Sequence, residues 1–194
     1  MKNYLVQCLF VFLFFNLSVR AAFAFEEEHE AHEHGHATLM LVQEKNELQL
    51  VFRSPAMNIT GFEHQANSPE QHAKIEWAKQ SLGDVAHLFL ISQNAQCVLE
   101  HVDIKSSLLE TDDHSEEREG HANNDHDSHD DDKNSHSEFE AEYHFECASI
   151  NELKEIKVAL FETFTSIEEL ETHIITKSGQ KLLELDRHNV SIKF

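Results

Sequence analysis

The sequence predicts an α+β fold: a mainly antiparallel β-sheet domain with one packed helix, one disulfide and a disordered insertion rich in His, Asp and Glu. Three observations lead to this prediction. Apolar and polar residues alternate over several short segments, as in strands that bury one face. A single segment combines helical apolar spacing with helix-end signals. Two cysteines flank a long acidic stretch that contains many histidines.

The N-terminal segment 1–24 has the composition of a secretory signal peptide. Lys2 precedes an apolar run over residues 4–17, and the small residues Ala22 and Ala24 suit a cleavage site. The run is shorter than the ~20 residues of a membrane-spanning helix, which disfavours a retained anchor. We therefore expect residues 1–24 to be removed and residues 25–194 to form a single exported domain.

The mature chain is predicted to begin with an arm and a β-hairpin. Residues 25–36 are acidic and His-rich and lack periodicity, so we expect a mobile arm. Segments 37–43 and 47–53 have strand length, and the second alternates cleanly between apolar and polar residues. Residues 44–46 supply the turn between them, and Pro55 ends the second strand.

The predicted helix covers residues 68–82. Its start has a Ser cap, a Pro at the first helical position and a Gln that completes a capping box, at Ser68, Pro69 and Gln71. Gly83 follows the last turn. The apolar stripe that faces the sheet consists of Ile75, Ala78 and Leu82, and Trp77 is expected to widen it.

Strands are predicted to follow the helix. Segment 97–105 is one, and the next alternates with an inward set of Phe139, Ala141, Tyr143, Phe145 and Cys147. The last third of the chain is predicted as strands 155–161, 170–177, 181–186 and 190–194, with a turn at Ser178-Gly179. Apolar spacing in segment 167–174 also fits a helix, so both readings stay open there.

The cysteines predict a disulfide. Removal of the signal peptide takes away Cys8 and leaves Cys97 and Cys147. An even pair in an exported protein favours a disulfide, whereas two cysteines of a metal site are normally close in sequence. Because both lie at strand ends, the bridge would make the two strands antiparallel neighbours. The residues between those strands would then form an insertion at the tip of a hairpin.

The charge is strongly negative, and histidine is the unusual residue. The chain has 36 acids, 15 Lys and Arg and 16 His, with a formal net charge of −21. This balance excludes a basic surface for duplex nucleic acid and disfavours docking on anionic lipid. Most of the His lies in two short tracts, a composition typical of metal binding.

The two His tracts lie in the arm and in the insertion, which is predicted as a disordered loop at about residues 110–138. The insertion has almost nothing to bury. Neutral imidazoles bind zinc, nickel and copper, and carboxylates balance the ion's charge. The predicted metal-binding His of the two tracts are His32, His34 and His36 in the arm, and His114, His121, His126, His129 and His136 in the insertion. The alternative is a solvated acidic segment with incidental His.

Catalysis is not predicted. The arm segment 32–36 matches the zinc-protease pattern H-E-x-x-H, but that pattern works only on a helix. Here it contains Gly35, lacks apolar periodicity and leads directly into a strand. The chain has neither a Gly-rich phosphate loop nor a nucleophile elbow. We expect a binding protein and keep a zinc hydrolase as the enzyme alternative.

Several segments together resemble the ZrgA family of periplasmic zinc-binding proteins, over about residues 29–194. They are the arm 32–39, segment 53–58 leading into 61–64, the cysteine pair around its His-rich insertion, and segment 176–180. The resemblance implies a periplasmic protein that binds zinc as cargo. It also implies partners: an inner-membrane zinc importer and an outer-membrane receptor. By position it implies His34, His36 and His64 as ordered ligands, with the insertion as a collecting tract.

His64 also fits an ordered site on sequence grounds alone. It follows the second strand, and a hairpin would bring it close to the start of the first, so His36 and His64 could share an ion with Glu63 or a water. The alternative is a hydrogen-bonded loop His. The remaining His are isolated in sequence and expected to be structural or exposed: His72, His87, His101, His144, His173 and His188. The alternative function is a periplasmic buffer or detoxification protein for copper or nickel.

Overall fold

A computed structural model describes residues 33–109 and 137–194, which lie in one compact unit, Ala31–Phe194. Nine strands are found in these residues: β1 His36–Glu44, β2 Glu47–Pro55, β3 Phe89–Ile91, β4 Cys97–Lys105, β5 Glu138–Cys147, β6 Glu155–Val158, β7 Glu169–Thr176, β8 Gly179–Asp186 and β9 Ser191–Lys193. The helices described are α1 Ala56–Thr60, α2 Pro69–Gly83, α3 Val85–Leu88 and α4 Leu160–Thr163. None of the described helices has both the length and the apolar character needed to cross a membrane.

The strands form a large and a small sheet. The large sheet has six strands in the order β4-β5-β2-β1-β7-β8, and the small sheet has the order β3-β6-β9. Every pairing is antiparallel except that of β1 with β7, which run parallel. The predicted α+β class with a mainly antiparallel sheet is confirmed, and α2 is the one long helix among the described residues.

One face of the large sheet holds the core. The fully buried inward residues include Leu39, Leu50, Phe52, Phe139 and Tyr143. The Tyr143 hydroxyl donates a hydrogen bond to the carbonyl oxygen of Leu82 at the end of α2, 3.0 Å away. Its ring also meets that of Phe89 from β3 edge-on, at 5.4 Å. Helix α2 and the small sheet therefore cover the same face, and the opposite, outer face carries mostly polar side chains.

The long helix follows its sequence signals closely. The Ser68 hydroxyl accepts a hydrogen bond from the backbone N–H of Gln71, and the Gln71 side chain accepts one from the N–H of Asn67. The three predicted stripe residues are buried. Two details differ from the prediction. Gly83 belongs to the helix, which is capped at Asp84, and Trp77 is 45% exposed, although its ring forms a T-shaped contact with that of Phe164.

The predicted disulfide and hairpin are confirmed. Cys97 and Cys147 are directly opposite one another on β4 and β5, which pair antiparallel, and are joined by a disulfide. The alternation predicted for β5 matches its burial, since its inward set is buried. Residues 110–136 connect these strands and lie outside the described residues, as do residues 1–32. The predicted signal peptide, most of the arm and the predicted disorder of the insertion therefore stay predictions.

Three predicted boundaries are wrong. The strand predicted at 155–161 ends at Val158, and Leu160 and Phe161, both buried, begin the short helix α4. A short apolar run fits either structure, so periodicity alone could not separate them. The loop predicted to end at about 138 ends earlier, because Ser137 is buried and Glu138 begins β5. Residues 33–36, placed in the arm, form a turn and the start of β1.

The C-terminal strands are otherwise confirmed, and one reading is settled. Segment 169–176 is a strand because it pairs with β1 on one side and β8 on the other. The helical reading of Ile167, Leu170 and Ile174 is therefore wrong. The turn between β7 and β8 uses Lys177 and Ser178, and Gly179 has a φ of +133°, a value that L side chains rarely adopt. The sequence did not predict β3.

Candidate metal-binding site

The arm joins the sheet through a tight turn, residues 33–36, which we call the arm-entry turn. The N–H of His36 donates to the carbonyl oxygen of Glu33 at 3.1 Å, and Gly35 has a φ of +91°. Such a turn needs a residue that tolerates positive φ at its third position, which Gly provides. Residues 33–36 are therefore not helical. His34 lies within the turn, and His36 is the first residue of β1.

Asn58 in α1 clamps the arm-entry turn. Its side-chain oxygen accepts a hydrogen bond from the N–H of Gly35, and its amide nitrogen donates to the carbonyl oxygen of His36, both at 2.8 Å. The same nitrogen lies 3.2 Å from the Ser54 hydroxyl. Asn58 is 3% exposed, so these bonds form away from water, where polar groups need partners. The segment 54–58 thus positions the histidines of the arm.

Glu63 connects the arm to the loop after α1. Its Oε1 atom is 3.4 Å from Nε2 of His34, and its side chain is only 13% exposed, against 56% for His34. Its backbone oxygen accepts a hydrogen bond from the hydroxyl of Ser137, the first described residue after the insertion, at 2.8 Å. The end of the arm and one end of the insertion therefore meet at the same residue.

Both ends of the insertion are held at this place. The Ser107 hydroxyl donates to that of Ser137 at 2.9 Å, and the Gln65 side chain donates to the carbonyl oxygen of Ser107 at 3.0 Å. The carbonyl oxygen of Ser137 accepts from the N–H of Ala56 at 2.8 Å. Leu108 is buried in the core. We call residues 106–109 and 137 the insertion base; it is ordered and adjoins the arm-entry turn through Glu63.

His36 faces carboxylates on the neighbouring strands. Its Nδ1 atom is 3.5 Å from Oε2 of Glu169 on β7, its register partner. The pKa of the Glu169 carboxyl is raised, first because it shares a hydrogen bond with the Glu184 carboxyl and then because it is partly desolvated. The Glu169 carboxyl therefore keeps its proton to a higher pH than usual. A cation beside Glu169 and Glu184 would reduce the electrostatic repulsion between the two carboxylates.

His64 is exposed, and its ring orientation suits a ligand. Its Nδ1 atom is 2.9 Å from the carbonyl oxygen of Gln65. Because a carbonyl oxygen can only accept, Nδ1 carries the proton, and the lone pair is then on Nε2. Metal-binding histidines usually donate their other N–H in this way. The ring of Phe62, 5.3 Å away between centroids, supports the imidazole from one side.

A family model described as ZrgA family zinc uptake protein matches residues 31–194. The chain belongs to the ZrgA family. The match includes the arm-entry turn, the clamp, both cysteines and the insertion. No protein of curated function matches the chain. The family assignment supports a zinc-related role for this ZrgA family member, and it confirms the resemblance inferred from the residues.

The structure places two of the predicted ligands of this ZrgA family member beside carboxylates. It places His34 against Glu63 and His36 against Glu169, and it holds His64 in the same loop as Glu63. In residues 33–109 and 137–194, no group of three or more His, Cys, Asp and Glu side chains is arranged to hold one ion. The joint use of His34, His36 and His64 stays a prediction. The other predicted ligands lie outside the described residues: His32, His114, His121, His126, His129 and His136.

Sequence reasoning missed the residues that position the site. Asn58 and Ser137 are buried polar residues, and Glu169 comes from a strand far along the chain. A signal for Asn58 was present, since an Asn shortly after Ser-Pro at a strand end is a common side-chain partner for backbone groups. Glu169 gave no such signal, because its place beside His36 depends on the parallel pairing of β1 with β7.

Replacing Asn58 with alanine is expected to lower the free energy of unfolding by about 2–3 kcal/mol, because it leaves buried backbone groups of Gly35 and His36 without partners. Urea unfolding measures this loss, and hydrogen exchange at the Gly35 and His36 amides should accelerate. The matched control is Asn151→Ala, an exposed Asn bonded to Lys177, with an expected change within about 0.5 kcal/mol. Equal effects of the two variants would contradict the clamp.

Proposed function

We propose that the mature chain captures zinc in the periplasm and supports its uptake together with an envelope transport system. The observation that carries this proposal is the meeting of the arm and the insertion base at Glu63. Two segments rich in metal-binding side chains are tethered at one end of a rigid sheet. Membership of a zinc uptake family supports zinc as the ion.

The proposed mechanism is multivalent capture. The His, Asp and Glu of the insertion bind zinc weakly at many positions and raise its local concentration. The formal charge of −21 also attracts divalent cations. An ion released from the insertion near the insertion base then lies close to the arm-entry turn, where the clamped backbone has already lost much of its freedom. Binding there costs less ordering entropy and is therefore tighter.

His34, His36 and His64 are the proposed ligands of the more tightly bound ion, with Glu63 as the carboxylate beside His34. The His34 side chain is 56% exposed and that of His36 is 47% exposed, so both can rotate on their fixed backbone. Their present partners are carboxylates. An arriving zinc ion would replace the weak His–carboxylate contacts by direct Zn–N bonds of about 2.0–2.1 Å.

Zinc is proposed as cargo, with no bond made or broken. A zinc hydrolase of the H-E-x-x-H type needs its two His one helical turn apart on one face. Residues 33–36 instead form a turn with Gly35 at positive φ and then enter β1. This geometry supports binding over catalysis. The proposed partners are an inner-membrane importer and an outer-membrane receptor. The protein would receive the ion from one partner or deliver it to the other.

Metal analysis of the protein isolated from the periplasmic fraction, without added metal, tests this function. We expect zinc to be the dominant metal, with more than one ion per chain after equilibrium dialysis. Dominant copper or nickel would contradict zinc capture and favour the buffering alternative. Recovery of the protein in the cytoplasmic fraction would contradict the proposed location.

The paired change His34→Gln and His64→Gln is expected to weaken the tightest zinc-binding step by at least ~10-fold. Loss of a hydrogen-bond partner of a metal ligand already lowers metal affinity by about this factor, and loss of the ligand itself costs at least as much. Competition with a chromogenic chelator measures this step. The control is His72→Gln with His87→Gln, two exposed residues on α2 and α3. Unchanged affinity in the first variant would show that the tight site lies elsewhere.

A further inference from the structure

Two histidines that are isolated in sequence are directly opposite one another on the outer face of the large sheet. His101 on β4 and His144 on β5 are register partners, and their ring centroids are 6.2 Å apart. Opposite residues of an antiparallel pair project their side chains to the same face. Both residues are solvent-accessible, the His144 side chain being 44% exposed. A hydrated ion can therefore reach both imidazoles.

A β-bulge creates this pair. The register of β4 against β5 shifts between Leu99 and His101, so that Glu100 is the extra residue. In a regular ladder the residue opposite His144 would be Glu100, and His101 would turn toward the core beside Tyr143. Bulges redirect side chains and are common next to functional sites. The bulge therefore places the imidazole of His101 beside that of His144, and it interrupts the regular pairing of the two strands.

A carboxylate lies beside one of the two imidazoles. Oε2 of Glu142 is 3.7 Å from Nε2 of His144, while Oε1 of the same group is 3.9 Å from Nζ of Lys105. Asp103 on β4 is the register partner of Glu142, and its Oδ2 atom is 2.9 Å from Nζ of Lys105. The Glu142 carboxylate thus contacts both His144 and Lys105, and it adds negative charge beside the imidazole pair.

The spacing is close to that of a shared ion. With Zn–N bonds of 2.0–2.1 Å, two imidazoles on one tetrahedral zinc have ring centroids about 5 Å apart. The observed 6.2 Å requires an approach of about 1 Å, which rotation of exposed side chains supplies. This approach involves the side chains only. The two strands keep the register that the Cys97–Cys147 bridge fixes on the same hairpin.

We propose that His101 and His144, after a rotation of their side chains, bind one zinc ion together, with water in the remaining positions. This site is separate from the arm-entry turn, and it rests on the proposed zinc function only for the identity of the ion. It lies on the two strands that lead into and out of the His-rich insertion. An ion collected by the insertion thus has a second docking place along the same hairpin.

The test is a zinc titration of the whole chain, purified without metal and labelled with ¹⁵N in its histidine rings. Ring signals are assigned by their loss in the single variants His101→Gln and His144→Gln. We expect Zn²⁺ to shift the signals of both rings in the wild type. In His101→Gln the zinc-induced shift of the His144 ring should be lost, and the reverse should hold in His144→Gln.

The matched control is His173→Gln, on the same outer face but opposite Leu182. It should leave the response of both rings unchanged, and backbone amide spectra check that every variant is folded. The inference is overturned if either ring still responds when the other is replaced, or if neither ring responds in the wild type. A response confined to other histidines would overturn this site and leave zinc capture intact. No response from any ring would overturn both.

Discussion

Replacement of Cys97 by serine is expected to lower the free energy of unfolding by about 4 kcal/mol. The bridge closes a loop with a sequence separation of 50 residues, and the chain-entropy model gives this magnitude for such a loop. Among the described strands, β4 lies at the edge of the large sheet and pairs with β5 alone. Without the bridge, one end of β4 is held by backbone hydrogen bonds only, so we also expect it to fray.

Urea unfolding with and without a reductant measures this contribution. The reductant should destabilise the wild type by about the same amount as the substitution, and it should have no further effect on Cys97→Ser. Mass spectrometry after thiol labelling should find one free thiol in the mature variant, at Cys147, and none in the oxidised wild type. Two free thiols in the oxidised wild type would contradict the disulfide.

Deletion of residues 111–136 is expected to remove most of the zinc capacity and leave the fold intact. The deleted segment carries all five histidines of the insertion, His114, His121, His126, His129 and His136. The described residues on its two sides are held close together, since the Ser107 and Ser137 hydroxyls are 2.9 Å apart, so a short Gly-Ser linker can replace it. Equilibrium dialysis measures the zinc stoichiometry, and circular dichroism checks the fold.

Two controls separate capacity from stability. Replacing the five insertion histidines by glutamine in the full-length chain keeps the loop and its acids, and it should lower the stoichiometry almost as much as the deletion does. Extending the deletion through Ser137 should instead destabilise the fold, because this residue bonds Ala56, Ser107 and Glu63. An unchanged number of bound zinc ions in the shorter deletion would contradict the collecting role of the insertion.

Local patterns determined much of this protein. Alternation along β5 predicted its buried set, because neighbouring side chains of a strand point to opposite faces. Ser68, Pro69 and Gln71 predicted the start of α2, because these residues satisfy or avoid the backbone donors of a first helical turn. The cysteine pair and the composition of the two His tracts predicted the disulfide and the class of ligand.

Tertiary structure alone decided how these parts are placed. The parallel pairing of β1 with β7 brought Glu169 to His36, and buried hydrogen bonds placed Asn58 under the arm-entry turn. A single bulge residue set His101 opposite His144. Each of these contacts joins residues that are distant in the chain, and each depends on strand order or register. A periodic pattern determines which face of a strand is buried, but the hydrogen bonds between strands determine which residues become neighbours.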